Sequence, residues 1–412
     1  MKSKFRLLLA LLAAFSLLAA ACGDDDTTAD AGDDAPASDD AGDDMADDDD
    51  AGDDDAGDDA GDDDAGDDMA DEGGDALPGE GIMVNMGRAN WSSGYVHAQI
   101  LHDLLEELGY DVSSPDGLEF APDLGYQTMA SGEMDLWANS WYPGHYSWHE
   151  GDLPDGTRIG DNLTVVEGSV MPGGGLQGML VTKSWAEANG VESLDQINRE
   201  EALWSQLDSD GNGKGEFYGC PEDWTCDDIM ASQIAFAGWD NLEQTQAGYD
   251  AMFAEFLTKA QAGEPAIIYT WTPTSYLAQA IPGETTMWLH METILDDSNP
   301  LGKEGGESYS QGEGYEGLGS DVCIAPAGGP CNTGWEAADI LVTVNKAFGE
   351  ANPAVIALSE VFNPPLIDMA IAGVDLNASD GSQSAVEDIA AKWIADNRDL
   401  ADEWIAVAMA AG

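Results

Sequence analysis

Ile82-Met83-Val84-Asn85-Met86, the loop residues Trp91-Ser92-Ser93, and the segment from Val96 to Gly109 carry the reading of the fold. The first five residues are a short, mostly apolar run of the buried-strand type. In the segment that follows the loop, Val96, Ile100, Leu101, Leu104, Leu105 and Leu108 fall on one face of a helix, and Gly109 stops it. A second short helix is expected over Tyr126–Gly132 and a second strand at Asp135-Leu136-Trp137-Ala138. Strand, helix, strand in this order is the grammar of parallel strands with helices packed on the sheet.

The pattern repeats downstream. Gly178–Thr182 reads as a strand with a helix from Lys183, Ile267–Thr270 as a strand, and Ile340–Val344 as another. Residues 302–321, rich in Gly and Glu, read as a surface excursion. Asn352-Pro353 starts a helix, and Ser384-Ala385-Val386-Glu387 is a capping box opening the C-terminal helix. The folded region, about residues 80–412, is long enough for two lobes. The expected division is 80–175 with 336–412 as lobe I, and 176–335 as lobe II. The fold class is α/β, each lobe a mixed sheet flanked by helices. Two lobes joined by two crossings make a hinged cleft, with ligands at the C-terminal ends of the strands.

Upstream, the chain changes character. Lys2, Lys4 and Arg6 precede an apolar run, Leu7–Ala21, that ends in small residues before Cys22. Residues 1–21 read as a secretory signal of the lipoprotein kind. Ala20-Ala21-Cys22 resembles the bacterial lipobox, with its usual leucine shifted to Leu18. The expectation is cleavage before Cys22 and lipidation of its thiol, which would anchor the protein to a membrane. A plain signal peptide with a free cysteine is the alternative. Residues 22–79 read as a disordered linker of Ala-Gly-Asp-Asp repeats holding 27 acids and no Lys or Arg. The whole chain has a formal charge of -68. Without the linker acids and the three leader bases, 54 acids still face 10 bases. That balance excludes nucleic acid as a partner. It also points to a saline medium, where screening makes self-repulsion tolerable.

Beyond Cys22 the cysteines are Cys220, Cys226, Cys323 and Cys331. In an exported chain, local pairing as 220–226 and 323–331 is the simplest of three connectivities, and a four-cysteine zinc site is the rival. A bridge across Gly219-Cys220-Pro221-Glu222-Asp223-Trp224-Thr225-Cys226 would fix Trp224 and the amides after it. A rigid tryptophan beside backbone donors suits a small zwitterion with a quaternary ammonium at one end and a carboxylate at the other. Trp141 and Trp271 are expected just after strands, each followed two residues later by proline. Tryptophan faces attract a cation that has no N–H to donate. Most of the 13 tryptophans must nevertheless be packing residues; Trp335 reads that way, while Trp91 and Trp137 lie near the predicted cleft and read as core residues or as residues supporting the site from behind. His145 reads either as a site residue or as a surface histidine. A metal pair with His149 lacks a third ligand. Asp208, Asp210 and Asn212 occupy the first, third and fifth places of a calcium-type loop, but its twelfth place is Gly219. An Asx/Gly-rich turn accounts for the same residues; a weak structural calcium is the alternative, and no other cofactor is expected.

Together these motifs resemble the periplasmic substrate-binding proteins of glycine betaine/proline betaine ABC transporters, of the ProX type. The resemblance covers most of 81–410. It rests on Leu108-Gly109-Tyr110, the run from Trp141 through Pro143 to His145, the loop from Asp208 to Gly213 followed by Gly219–Cys226, and Tyr269-Thr270-Trp271-Thr272-Pro273. It implies a two-lobed type II periplasmic-binding fold and an ABC permease as partner. Carried over motif by motif, it implies a box of Trp141, Trp224 and Trp271, with His145 and the amides of Thr225 and Cys226 on the carboxylate. The family usually has glycine at the position of Thr225; a backbone donor survives that change. No catalytic set is visible: no Gly-x-Ser-x-Gly elbow, phosphate loop or dinucleotide fingerprint stands beside a suitable partner. The rival readings are a choline or carnitine binder of the same fold, and an exported sensor or enzyme domain.

Overall fold

The computed structural model describes residues 77–312, 314 and 318–412. The leader, Cys22 and almost all of the acidic linker lie outside these residues. Thirteen strands are found among the described residues, labelled in chain order. They are Met83–Val84 (β1), Met86–Ala89 (β2), Asp111–Val112 (β3), Glu119–Phe120 (β4), Leu136–Tyr142 (β5) and Leu163–Gly175 (β6). Gln177–Thr182 (β7), Gly215–Tyr218 (β8), Leu242–Thr245 (β9), Ile267–Trp271 (β10), Thr286–Leu289 (β11) and Cys323–Ile324 (β12) follow, and Ala338–Asn345 (β13) returns.

They form two main sheets. The first has the order β4-β2-β5-β13-β6, the second β12-β11-β7-β10-β8-β9, and β1 pairs with β3 apart from both. Both are mixed. In the first, β2 is parallel to β4 and β5, while β13 is antiparallel to β5 and β6. The antiparallel neighbours are the strands that leave and re-enter this lobe. The chain crosses at Leu176, between β6 in one sheet and β7 in the other, and crosses back between β12 and β13. At the first crossing the Leu176 amide donates to Thr272 Oγ1 at 3.2 Å. The Thr272 amide answers to the Leu176 carbonyl at 2.8 Å.

The helix Tyr95–Glu107 buries Val96, Ile100, Leu101, Leu104 and Leu105 against the first sheet, and Gly109 ends the turn at φ 89°. The helices Pro353–Val361, Leu366–Ala378, Gln383–Asp396 and Arg398–Met409 complete that lobe's core. Gly412 packs directly on Pro78. A second core fills the other lobe and runs across to Trp91, Tyr126 and Trp137 of the first. No single helix among the described residues is long and apolar enough to cross a membrane.

Four local expectations are corrected. Ile82–Met86 is not one strand: the Asp135 carboxylate takes the Asn85 amide at 2.7 Å, and the chain breaks there into β1 and β2. The helix expected at Tyr126 starts earlier, at Pro122. The cap of the helix that follows Gly381 is Ser382, whose Oγ accepts from the Ala385 amide, and a further helix lies beyond Asn397. The stretch 302–321 is not only a surface excursion. Tyr309 is 2% exposed and donates to Asp228 at 2.8 Å, and Gly305 rests on the Ser147 backbone of the first lobe.

Candidate functional site

Strands β5 and β10 end facing the cleft. Trp141 is the penultimate residue of β5 and Trp271 the last of β10, so both lie within the strands rather than beyond them. A cis prolyl bond follows each, at Tyr142–Pro143 and Thr272–Pro273. Trp224 is the N-cap of the helix Thr225–Ala237, with extended backbone at φ -98° and ψ 143°. Thr225 and Cys226 are therefore the first two helical residues. Their amides have no carbonyl four residues back inside the helix, and the helix dipole adds positive potential there.

The loop is closed as expected by a disulfide between Cys220 and Cys226, and a second bridge joins Cys323 to Cys331. Trp141, His145, Trp224, Thr225, Cys226 and Trp271 all line one cavity between the sheets. The rings of Trp224 and Trp271 stand nearly perpendicular, 76° apart at 5.4 Å, and form an aromatic corner. Tyr249 backs this corner, 5.8 Å from Trp224 and 4.6 Å from Trp271. The cavity wall includes the carboxylate residue Glu336 and, among the described residues, no Lys or Arg.

His145 is 3% exposed, and burial, with His149 close by, pushes its pKa down to about 3. The ring is neutral at any ordinary pH. Its Nδ1 accepts from the Trp141 amide at 3.1 Å, a group that can only donate. The proton of the neutral ring therefore sits on Nε2, and the side chain offers the site an uncharged N–H. Tyr126 also bonds Nδ1, at 2.8 Å. The surface alternative for His145 is thus removed.

Bonds join the two lobes beside the cavity. Trp224 Nε1 donates to Asn90 Oδ1 at 3.0 Å, Trp271 Nε1 to Ser93 Oγ at 3.1 Å, and Trp148 Nε1 to Thr225 Oγ1 at 2.7 Å. Beside the helix start, Asp228 holds Lys303 and Tyr309. Burial raises the neighbouring Asp227 to about 6, against the bond from Gln244.

Trp91 departs from its reading as a residue of the core or behind the site. It is 7% exposed, lines the cavity, and meets Trp224 edge-on at 5.4 Å. Its place after a strand of the parallel set was the available signal. Trp137 and Trp335 are 1% exposed and belong to the core. Asp208 and Asp210 lie outside this cavity. Their carboxylates accept amides of their own loop, from Gly211 at 2.7 Å, Gly213 at 3.0 Å and Asn212 at 2.8 Å, and Asn212 Oδ1 accepts from Lys214 at 2.8 Å. These bonds form the expected Asx/Gly-rich turn, and Asp208, Asp210 and Glu216 also bring carboxylate oxygens within 4.8 Å of one another.

Two lobes, a crossed chain and an aromatic cavity between them with neutral donors define a solute-binding protein of the type II periplasmic class. Residues 82–396 match the family described as the substrate binding domain of ABC-type glycine betaine transport systems, and the chain belongs to that family. It is 27% identical over 338 residues to the glycine betaine-binding periplasmic protein OusX of Dickeya dadantii, covering 82% of this chain and 93% of the relative. It is 28% identical to the glycine betaine/proline betaine-binding periplasmic protein of Salmonella typhimurium, over 81% of this chain and 92% of that one. Among solved structures, an ABC-transporter choline-binding protein with choline superposes at a TM-score of 0.55, 15% identity, 80% of this chain and 96% of the other. Lactococcal OpuAC, closed on glycine betaine, gives 0.52 at 17% identity, over 79% and 99%. These two likenesses speak for the fold.

Proposed function

We propose that the protein captures glycine betaine, or a closely related quaternary-ammonium zwitterion, outside the cytoplasm and delivers it to the permease of an ABC importer. The observation that carries this is the pairing of an aromatic corner with uncharged donors in one cavity. A quaternary ammonium has no N–H, so aromatic faces are its natural partners. A carboxylate that is already balanced by the ligand's own cation is suited to the His145 ring N–H and the amides of Thr225 and Cys226. A lysine or arginine there would repel the cationic end. Calorimetry with glycine betaine, proline betaine, carnitine and choline tests the reading. Glycine betaine or proline betaine should bind tightest and choline, without a carboxylate, weakest. Equal affinity for choline would refute the carboxylate site, and no binding of any of the four would refute the whole reading.

The same proposal places Cys22 as a lipid anchor, with the acidic linker as a tether between membrane and binding domain. Its support is the lipobox-like sequence. Cys22→Ser should move the protein from the membrane fraction to the soluble one with betaine affinity unchanged. A variant that stays in the membrane fraction would sink the anchor.

A further inference from the structure

Asn139 sits in β5 and is 3% exposed. Between the pairs Trp137–Thr343 and Ser140–Leu341, β5 carries two residues, Ala138 and Asn139, where β13 carries one, Val342. This is a β-bulge, a device that re-aims a side chain and is frequent beside functional sites. Asn139 Oδ1 accepts from Trp91 Nε1 at 2.8 Å and from Trp141 Nε1 at 2.8 Å. An indole N–H can only donate, so the amide orientation is fixed by its partners. The amide nitrogen then faces His97 Nδ1 at 2.9 Å. Burial pushes His97 down to about 3, so the ring is neutral, and the Asn139 N–H that faces Nδ1 leaves the ring proton on Nε2. His97 itself stacks on Phe362 at 5.2 Å. Gly94 closes the remaining side: a Cβ there would lie 3.3 Å from Asn139 Cγ.

We propose that Asn139 is a positioning residue of the binding site, and that Trp91 is a fourth tryptophan wall for the cationic end, set by the same oxygen that sets Trp141. The inference rests on the quaternary-ammonium reading above. Its logic is that one buried acceptor fixes two rings from different segments, so their faces are aligned before the ligand arrives. Without that oxygen both indole N–H groups lose their partner together, and ligand binding must then order both rings.

The test is calorimetry on the full chain with glycine betaine and with N,N-dimethylglycine, which has one methyl fewer and an N–H. Asn139→Leu removes the acceptor at similar volume. Asn139→Asp keeps it, and His97 can answer as a donor. Asn139→Leu should weaken glycine betaine about tenfold or more and narrow its preference over dimethylglycine, while Asn139→Asp recovers most of the affinity. A structural role alone would lower the melting temperature and leave the preference between the two ligands intact. Trp91→Phe keeps a six-membered aromatic ring but loses the pyrrole ring with its N–H, so it serves if Asn139→Leu does not fold; it should weaken glycine betaine about threefold and narrow the same preference. Wild-type affinity and preference in Asn139→Leu, or in Trp91→Phe, overturn this inference alone. Failure of the unmodified chain to bind any quaternary ammonium overturns the underlying reading and this inference with it.

Discussion

Trp148 of the first lobe donates its indole N–H to the side-chain oxygen of Thr225 in the second, at 2.7 Å across the cleft. The Thr225 methyl packs where Gly144 leaves room, beside His145. This contact makes the Thr225 side chain a latch between the lobes. Thr225→Val should weaken glycine betaine binding by removing the acceptor, and so should Trp148→Phe by removing the donor. A double-mutant cycle on calorimetric affinities should show coupling of about 1 kcal/mol. Strict additivity would mean that the bond contributes nothing to closure.

The box itself is tested by Trp141→Ala, Trp224→Ala and Trp271→Ala. Each removes an aromatic face from the cavity and should cost about 1–2 kcal/mol of betaine affinity. Trp224 and Trp271 also lose their bonds to Asn90 and Ser93, so their effects should exceed that of Trp141. Unchanged affinity in two of the three would remove the box.

Stability should fall on acidification. Burial lowers His97 and His145 to about 3 and His149 to about 4, all below the ordinary 6.5. The unfolded chain therefore binds protons that the folded one refuses. Their stabilising contribution is complete above pH 6.5 and is lost as the pH falls towards 4 and then 3. Each tenfold difference in proton affinity is worth about 1.4 kcal/mol. Asp227 works the other way: raised to about 6 by burial, it takes up its proton in the folded state first. Asp135 and His102 are raised as well and His290 is lowered, but the large shifts of His97, His145 and His149 prevail and predict a melting temperature that drops between pH 7 and pH 4. His97→Gln should flatten the curve. A melting temperature independent of pH over that range would contradict the assignment of neutral buried histidines.

Reduction of the Cys220–Cys226 bridge should weaken betaine more than choline. The bridge ends at Cys226, one of the two residues whose amides face the proposed carboxylate site. Freed, that turn must be ordered on binding, and choline has no carboxylate to lose. The measurement is affinity for both ligands with and without reductant, in a Cys323→Ser/Cys331→Ser background. Equal losses would show that the loop only carries Trp224.

Much of this site was legible in the sequence because its chemistry lies in short contiguous runs. The run from Trp141 to His145 and the run from Cys220 to Cys226 each hold an aromatic wall together with a polar donor, so local spacing exposes them. Trp91 was legible only as a residue near the cleft, and Asn139 not at all. Asn139 depends on one extra residue in β5 relative to β13, a count that appears only when strands separated by about 200 residues are laid side by side. Trp91 becomes a wall only through that same bulge. The bonds to Asn90, Ser93 and Thr225 join lobes whose relative placement no local pattern encodes. The fold followed the periodicity of the Tyr95–Glu107 helix and the apolar runs of β5, β10 and β13. The break at Asn85 did not, because a carboxylate 50 residues away takes the amide.

Under the anchor proposal, the packing of Gly412 on Pro78 has a mechanical consequence. The amino-terminal segment joins the folded body in lobe I, beside the other end of the chain. A leash fixed to that segment pulls on one lobe only, and its tension does not pass through the crossings at Leu176 and before Ala338. The second lobe, which carries Trp224, Trp271 and the carboxylate amides, is then a free arm. If Cys22 carries the proposed anchor, that arm would be free to swing open or shut while the chain is held, and anchoring would set where the protein is without biasing whether it is closed.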